Sequence, residues 1–591
     1  MVKVSDLIAE FLKEKNIDIV FGIIGSANSH IFDSISKLGY TKIINTHHEQ
    51  AAIMAMGAYY RTSGKLSAAI VTAGGGVTNA ITGVVSNWAD SIPGMIISGQ
   101  ENYNHVNTQE HLRMYGTQGL NITKMISDVT KLAIPFDDKM DIQETLEHLH
   151  NTTISNRPGP VWLDVPMNLQ AKLINRKDWN TPNQVEEDDI DVKELVDLIK
   201  KSKRPIILGG NGVRLSGAKK EFNELVNYSR IPSLLTWSGI DLMSNDNPNF
   251  FGRFGIYGQR CANFIIQNSD LVIVLGSRLA IPQVGYDFSQ FARNAKIVVI
   301  DIDKDEASKY PVQHIWADCK KVIQSLNKCE INGYKEDWVD YCNKLKQKYP
   351  WVIKEHKDNG YLNSYKFLNK LSDHLKDDHI IVTDMGTGLL SGHQSVKIKP
   401  NQTMFTSQGL GEMGYGIAGA IGAQFACPHR PVICLNCDGG IMMNLQELHT
   451  IIENELPIKV IIFNNDGYLM IKHTQKMLFK GDYVSVNKKT GIGLPNYSKL
   501  LPAFGYNYYK LDSWQDFDST IETFLNDSKA SCLEVFMDPE QDFIPKVKGV
   551  LKEDKIILAP PIEEMSPLLP IDEIKDNMLI ELSEKSKLIK R

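Results

Sequence analysis

No run of 18 or more apolar residues occurs in the chain, which excludes a membrane-spanning helix. Met1-Val2-Lys3-Val4-Ser5 leads into an amphipathic helical pattern, Val4 to Lys15, rather than a signal peptide. Neither sign of charge is in large excess: 64 Lys and Arg against 70 Asp and Glu leave a net −6, which offers no field for nucleic acid or an anionic membrane. Repeats and low-complexity segments are absent. Cysteine is sparse, eight in 591 residues, and the one close pair, Cys434-Leu435-Asn436-Cys437, has CxxC spacing. It straddles the end of an apolar strand, so core packing is the first reading and thiol chemistry the second. The expectation is a water-soluble, cytoplasmic protein. A hydrophobic content of 42% over 591 residues suits about three or four domains, each with its own core.

What is present is organised around Pro431 to Met470. PVICL is a short apolar run, Asp438-Gly439-Gly440 follows where a parallel strand would open into a helix, and Leu445, Leu448, Ile451 and Ile452 have helical spacing. A second apolar run, Ile458 to Phe463, delivers Asn464-Asn465 at its own carboxyl end. In such a βαβ unit a right-handed crossover puts both strand ends on one edge of the sheet, so Asp438 and Asn465 converge. A carboxylate and an amide oxygen suit Mg²⁺ shared with a diphosphate, and the glycines let backbone approach the phosphates. Read alone, Asp-Gly-Gly also fits an ordinary Gly-rich βα turn.

The combination of Asp438-Gly439, Asn444-Leu445-Gln446-Glu447-Leu448 and Asn464-Asn465 resembles the thiamine-diphosphate motif of the acetolactate synthase superfamily, with Cys437 in place of the first glycine of Gly-Asp-Gly. The resemblance implies that Asp438, Asn465 and the main-chain carbonyl of Gly467 ligate Mg²⁺, beside Gly439 and Gly440. Asp384-Met385-Gly386-Thr387-Gly388, after the strand Ile380-Ile381-Val382-Thr383, occupies the position whose Met385, Gly386 and Thr387 contact the diphosphate. The stretch Gln408 to Gly416 supplies Gly411 and Met413. Read alone, Met413 is a core residue; in the family a bulky apolar residue here bends the cofactor. Met470 begins the short active-site helix, and Lys472-His473-Thr474 stands where the anabolic synthases place a tryptophan.

Earlier in the chain, the strand Ile43-Ile44-Asn45-Thr46 delivers His47-His48-Glu49-Gln50 before an Ala/Met-rich helix. Alone, Glu49 reads as a favourable charge in a first helical turn. The resemblance makes it the carboxyl that hydrogen-bonds the aminopyrimidine and so activates the cofactor. Thr72 to Asn79 resembles the family's Thr-Ser-Gly-Pro-Gly-Ala-Thr-Asn, with Gly75 for the proline, and gives Gly75 and Asn79 as cofactor contacts. Thr117-Gln118-Gly119 corresponds to Phe-Gln-Glu beside the reactive carbon, and only Gln118 is retained.

In the middle of the chain, Gly209-Gly210-Asn211, Gly276-Ser277-Arg278 and Asp301 stand at apolar strand ends, as in a doubly wound sheet that holds a nucleotide or serves only structure. The resemblance implies FAD, held by Gly209, Gly210, Asn211, Ile256, Tyr257, Gly276, Arg278, Asp301 and Asp318 with help from Arg157, and structural in role.

The fold expected is α/β with three doubly wound parallel-sheet domains: 1–175 (pyrimidine-binding), 190–350 (central, FAD-type) and 360–550 (diphosphate and Mg²⁺), then a tail, 551–591, that packs across a subunit, caps the site or extends freely. The activity implied is decarboxylation of pyruvate and transfer of its two-carbon unit to a second carbonyl. The altered elements around Gln118 and Thr474 look similar to carboligases of branched-chain deoxysugar (yersiniose-type) biosynthesis, which use a nucleotide-linked keto-sugar. Pyruvate as acceptor, giving acetolactate, a non-catalytic paralogue, and a flavin-redox oxidase are the other readings. The partners implied are small-molecule substrates and a second copy of the chain, because in this family the first domain of one subunit meets the third domain of another.

Overall fold

The computed structural model describes residues 1–106, 111–114, 116–179, 190–551 and 557–591. Three six-stranded sheets carry the chain, and every strand pair within them is parallel. The first runs, edge to edge, Lys42–Asn45, Ile19–Gly22, Ala68–Val71, Gly94–Gln100, Pro160–Pro166, Leu132–Pro135. The last runs Thr403–Phe405, Ile380–Thr383, Val432–Cys437, Lys459–Asn464, Ser531–Phe536, Asn507–Leu511. Numbered along the chain, both have the order 2-1-3-4-6-5. The central sheet, Phe250–Arg253, Ser233–Leu235, Pro205–Gly209, Leu271–Leu275, Lys296–Asp301, Gln313–Trp316, has the order 3-2-1-4-5-6, whose switch point lies between Pro205–Gly209 and Leu271–Leu275.

The short apolar runs become strands because both faces of each sheet are covered. Ile380–Thr383 and Val432–Cys437 are buried at every position, the mark of a parallel sheet between helical layers. The outer sheets meet through two helices made of small residues. Glu49–Ser63 lies against Tyr415–Ala426 so closely that a Cβ on Gly422 would fall 2.1 Å from the Ala55 carbonyl oxygen. Ala51, Ala52, Ala55 and Ala58 share one buried cluster with Ala418, Ala420 and Ala423.

Two local expectations change. The segment after Gly440 is a 3₁₀ turn, Gly440–Asn444, before the α-helix Glu447–Glu453 begins, because the Asn444 side chain is held by Gly414 and Gln50 rather than continuing a helical face. The glycine loop at 74–79 closes into a short helix, Gly75–Asn79, entered through Gly74 at φ +66. Most of the expected linker, 180–189, lies outside the described residues.

The described tail folds back on its own central domain. Ile562, Met565, Ile574 and Met578 join the core around Phe264 and Tyr349. Glu563, with no exposed surface, pairs with Arg293 at 2.9 Å, and Asn263 Nδ2 donates to Ile562 O at 2.8 Å. The described tail is therefore not a free extension. Among the described residues no helix is long and apolar enough to cross a membrane.

Candidate active site

At the carboxyl edge of the last sheet, Val432–Cys437 ends at Asp438 and Lys459–Asn464 ends at Asn465. The crossover does bring them together. Asp438 Oδ2 accepts the backbone N–H of Asn465 at 3.1 Å and of Gly467 at 3.0 Å, and Oδ1 accepts that of Gly439 at 2.9 Å. Burial nonetheless pushes the Asp438 carboxyl up to about 7 against those three donors. Asn465 Nδ2 donates to Thr387 Oγ1 at 3.4 Å, while Asn465 Oδ1 is buried with no hydrogen-bond partner.

Gly467, at φ +123, could carry no side chain: a Cβ there would meet Val486 O at 1.9 Å. Its carbonyl oxygen lies 3.5 Å from where a Cβ on Gly439 would stand, so it faces the same turn. A Cβ on Gly440 would lie 2.4 Å from Asp384 Oδ2. An orphaned amide oxygen, a carboxylate that burial disfavours and a carbonyl stand at this one turn, a set of hard oxygen donors of the kind that ligates Mg²⁺. The residues present therefore fit Mg²⁺. Among the described residues no group of three His, Cys, Asp or Glu could hold an ion instead.

Around this point stand the other expected contacts of the third domain. Met385 reaches over Gly411, whose Cβ would lie 2.7 Å from Met385 Cε, and Gly386 (φ +99) leads into the helix Thr387–Ser395. The Thr387 N–H donates to Cys437 Sγ at 3.1 Å, and burial pushes that thiol up to about 12. Cys434 and Cys437 are both buried and unbridged, so the CxxC spacing carries no thiolate. Met413 remains 37% exposed at the site's mouth, unlike a core methionine. Met470 is partly buried at the start of Leu469–Phe479, against a cluster that also touches Tyr257 and Trp237.

The first domain contributes a second group. Glu49 begins the helix Glu49–Ser63 and is 7% exposed; its Oε2 accepts from Asn79 Nδ2 at 3.0 Å. Gly76 is close enough that its Cβ would lie 3.2 Å from Glu49 Oε1. Gln118 rests on the same turn, its Cγ 2.9 Å from a Cβ on Gly74, and Gly75 faces open space. No hydrogen bond among the described residues joins Glu49 to Asp438, Asn465 or Gly467. The two groups are linked indirectly: Gln50 Nε2 donates to Asn444 Oδ1 at 2.8 Å, Asn444 Nδ2 to Gly414 O at 2.9 Å, and the His47 N–H to Glu447 Oε1 at 2.9 Å.

A cavity of about 580 Å³ opens where the central sheet faces both outer domains. Of the expected dinucleotide residues, Arg157, Asn211, Tyr257, Gly276, Arg278, Asp301 and Asp318 line it, together with Gln408 and Gly409 of the third domain. Gly209, Gly210 and Ile256 lie outside the lining. Gly210 is needed for close approach, since its Cβ would fall 2.3 Å from Gly276 O. Arg157 is engaged by Asp303 at 2.8 Å and Glu306 at 3.1 Å.

Several residues gain a specific role at these sites only in the structure, and of these Tyr497 stood in none of the sequence motifs. Tyr497 donates its hydroxyl to the Asp438 carbonyl. Asp384, pushed up to about 7 by burial, accepts the Gly414 N–H at 2.8 Å; only its place at a strand end could have pointed to it. Buried Lys472 donates to Asn465 O at 3.3 Å, and Asn444 holds Gln50 and Gly414 together.

Comparison with known proteins agrees with this geometry in all three domains. Residues 2–125 match the model of the thiamine pyrophosphate enzyme N-terminal TPP binding domain, 192–326 that of the central domain and 384–535 that of the C-terminal TPP binding domain. The acetolactate synthase large subunit of Porphyra purpurea is 30% identical over 523 residues, 85% of this chain and 86% of that one. Acetolactate synthase isozyme 2 large subunit of Escherichia coli (strain K12) is 28% identical over 540 residues, 91% and 96% of the two chains. A probable acetolactate synthase large subunit of Methanococcus aeolicus is 29% identical over 599 residues, 97% and 98%.

Proposed function

We propose, for a chain that belongs to the thiamine pyrophosphate enzymes and to their acetolactate synthase-like group, that it decarboxylates pyruvate and transfers the two-carbon unit to a second carbonyl compound. The observation that carries this is the orphaned Asn465 Oδ1 beside the buried Asp438 at a glycine-lined sheet edge. Asp438, Asn465 and the Gly467 carbonyl would hold Mg²⁺ with the diphosphate, and Met385, Gly386, Thr387, Gly439 and Gly440 would line the path of the phosphates.

Thiamine diphosphate, when bound, supplies a nucleophilic carbon and an electron sink for decarboxylating a 2-keto acid. The chain's own part is to position and to move protons. Glu49, set by Asn79 on the first turn of its helix, would present its carboxyl to the aminopyrimidine ring and hold or pass a proton there. Met413 offers an exposed apolar wedge, and Gln118 stands where an acceptor carbonyl would be oriented. In one chain Glu49 and Asp438 are not in contact, which favours a homodimer in which Glu49 of one copy serves the cofactor held by the other. The central cavity, with carboxylates at its strand ends and Arg278 at its rim, suits FAD in a structural role. The protein would work in the cytoplasm.

For the acceptor, the relatives' names favour pyruvate, giving acetolactate. Exposed Thr474, whose hydroxyl turns back to Met470 O at 3.2 Å, favours room for a nucleotide-linked keto-sugar. Incubation with pyruvate alone, and with pyruvate plus a keto-sugar nucleotide, decides between them by whether a branched sugar appears. Comparison with Glu49→Ala tests catalysis itself: equal CO₂ release from pyruvate by the two proteins would refute it.

A further inference from the structure

The helix Thr387–Ser395 has no exposed face: all nine of its residues are buried. Its two ends meet different domains. The amino end opens from Gly386 beside Cys437, whose Sγ accepts the Thr387 N–H, and Asn465 Nδ2 donates to Thr387 Oγ1 at 3.4 Å. The carboxyl end leaves carbonyls with no partner inside the helix, and the central domain reaches them. Arg253 Nη1 donates to His393 O at 3.0 Å and to Val396 O at 3.1 Å, Nη2 donates to the same Val396 O at 3.1 Å, and Gln259 Nε2 donates to Gln394 O at 2.7 Å.

Arg253 carries its charge without a counter-ion. It has no exposed surface, and among the described residues no carboxylate pairs with it, whereas Arg61 meets Asp90, Arg214 meets Asp241 and Arg293 meets Glu563. Its other contacts are neutral: Asn245 Oδ1 accepts from Nη2 at 3.2 Å, and the rings of Trp351 and Phe250 have centroids 4.9 and 5.8 Å from the guanidinium carbon. Nε is buried without a hydrogen-bond partner. Burial pushes the group down to about 9, which leaves it charged at neutral pH. Burying a charge with no partner of opposite sign is costly; the carbonyls at the negative end of a helix are the compensation this place offers.

We propose that Arg253 is a positioning residue for the diphosphate: from the central domain it holds the carboxyl end of Thr387–Ser395 and so fixes the amino end, Gly386–Thr387, against the phosphates. The inference rests on the thiamine diphosphate reading of the site and deepens it, giving the central domain a part in holding the diphosphate. The charges at the two ends are complementary. A cation faces the negative end, a diphosphate would face the positive end, and about 14 Å of buried helix separates them. Gln394 ties the same end to the central domain a second time, donating to Gly258 O at 3.1 Å, so this end moves with that domain.

The test is calorimetric titration of the full chain with thiamine diphosphate, in the presence of FAD and saturating Mg²⁺. For Arg253→Met the Kd should rise about 10-fold or more, the size of effect that outer partners have on a bound metal. For Arg253→Lys, which keeps the charge but not the planar fork, it should rise about 3-fold. Arg260→Met is the matched control: Arg260 is 7% exposed and donates to Met565 O and Pro567 O in the tail, so its Kd should stay within about 2-fold of the parent even where its Tm falls as far. Equal weakening by Arg260→Met would reduce Arg253 to a structural residue, and parent-like affinity in Arg253→Met would overturn the assignment. Should Arg253→Met not fold, parent-like affinity in Arg253→Lys overturns it. A parent that binds thiamine diphosphate but releases no CO₂ from pyruvate would sink the carboligation reading and leave Arg253 to the titration; a parent that binds none would overturn both.

Discussion

Replacing Asp164 by Asn isolates the cost of a buried carboxylate in the first domain. Asp164 is 4% exposed on the strand Pro160–Pro166. Its Oδ1 accepts from Ser98 Oγ at 2.5 Å and its Oδ2 from Gln100 Nε2 at 2.7 Å, and the same Gln100 amide donates to Leu120 O at 2.9 Å. The carboxyl therefore anchors the segment that carries Gln118. Burial pushes it up to about 7 from an ordinary value of 3.8, despite both donors. Because the folded value is the higher one, the associated stability is full below pH 3.8 and is lost as pH rises through about 7. The difference corresponds to about 4 kcal/mol at pH 8.

Asparagine keeps an oxygen for Gln100 and can donate to Ser98 Oγ, which already accepts Trp162 Nε1 at 2.7 Å, so one hydrogen bond, about 1 kcal/mol, is given up. Asp164→Asn should therefore be the more stable protein by about 3 kcal/mol at pH 8, which for a domain of this size is a rise in Tm of roughly 6–12 °C. Near pH 5 the two effects should almost cancel. Thermal unfolding of both proteins at pH 5, 6, 7 and 8 gives the comparison, with turnover at pH 7.5 expected within about 3-fold because Gln100 keeps its anchor. A Tm difference that does not change with pH, or a variant less stable at pH 8, would refute the reasoning.

Two further substitutions probe the last domain. Gly467→Ala adds a Cβ 1.9 Å from Val486 O at φ +123, so the Mg²⁺ concentration for half activation should rise about 10-fold or more, measured by activity against metal; an unchanged value would remove Gly467 from the ligand set. Asn444→Asp sets an oxygen against Gly414 O, 2.9 Å from the present donor. It should lower kcat about 10-fold or more by freeing the Met413 loop, with the KM for pyruvate little changed; a kcat equal to the parent's would show that the loop needs no such tie.

The sequence by itself determined the elements and their order. Short apolar runs ending in Asp, Asn or Gly, spaced by helices, dictate parallel sheets, because hydrophobic period and strand-end chemistry are local properties of the chain. Asp438 with Asn465 was legible for the same reason: one crossover has one hand, and it returns both strand ends to one edge. Glu49 and the dinucleotide-type strand ends were likewise visible as residues at junctions. What tertiary structure alone decided is which distant side chains meet there. Tyr497 on the Asp438 carbonyl, Asn444 between Gln50 and Gly414, Asp164 behind Gln100, and the tail closing over Phe264 all depend on packing between elements far apart in sequence, and no periodicity encodes such meetings.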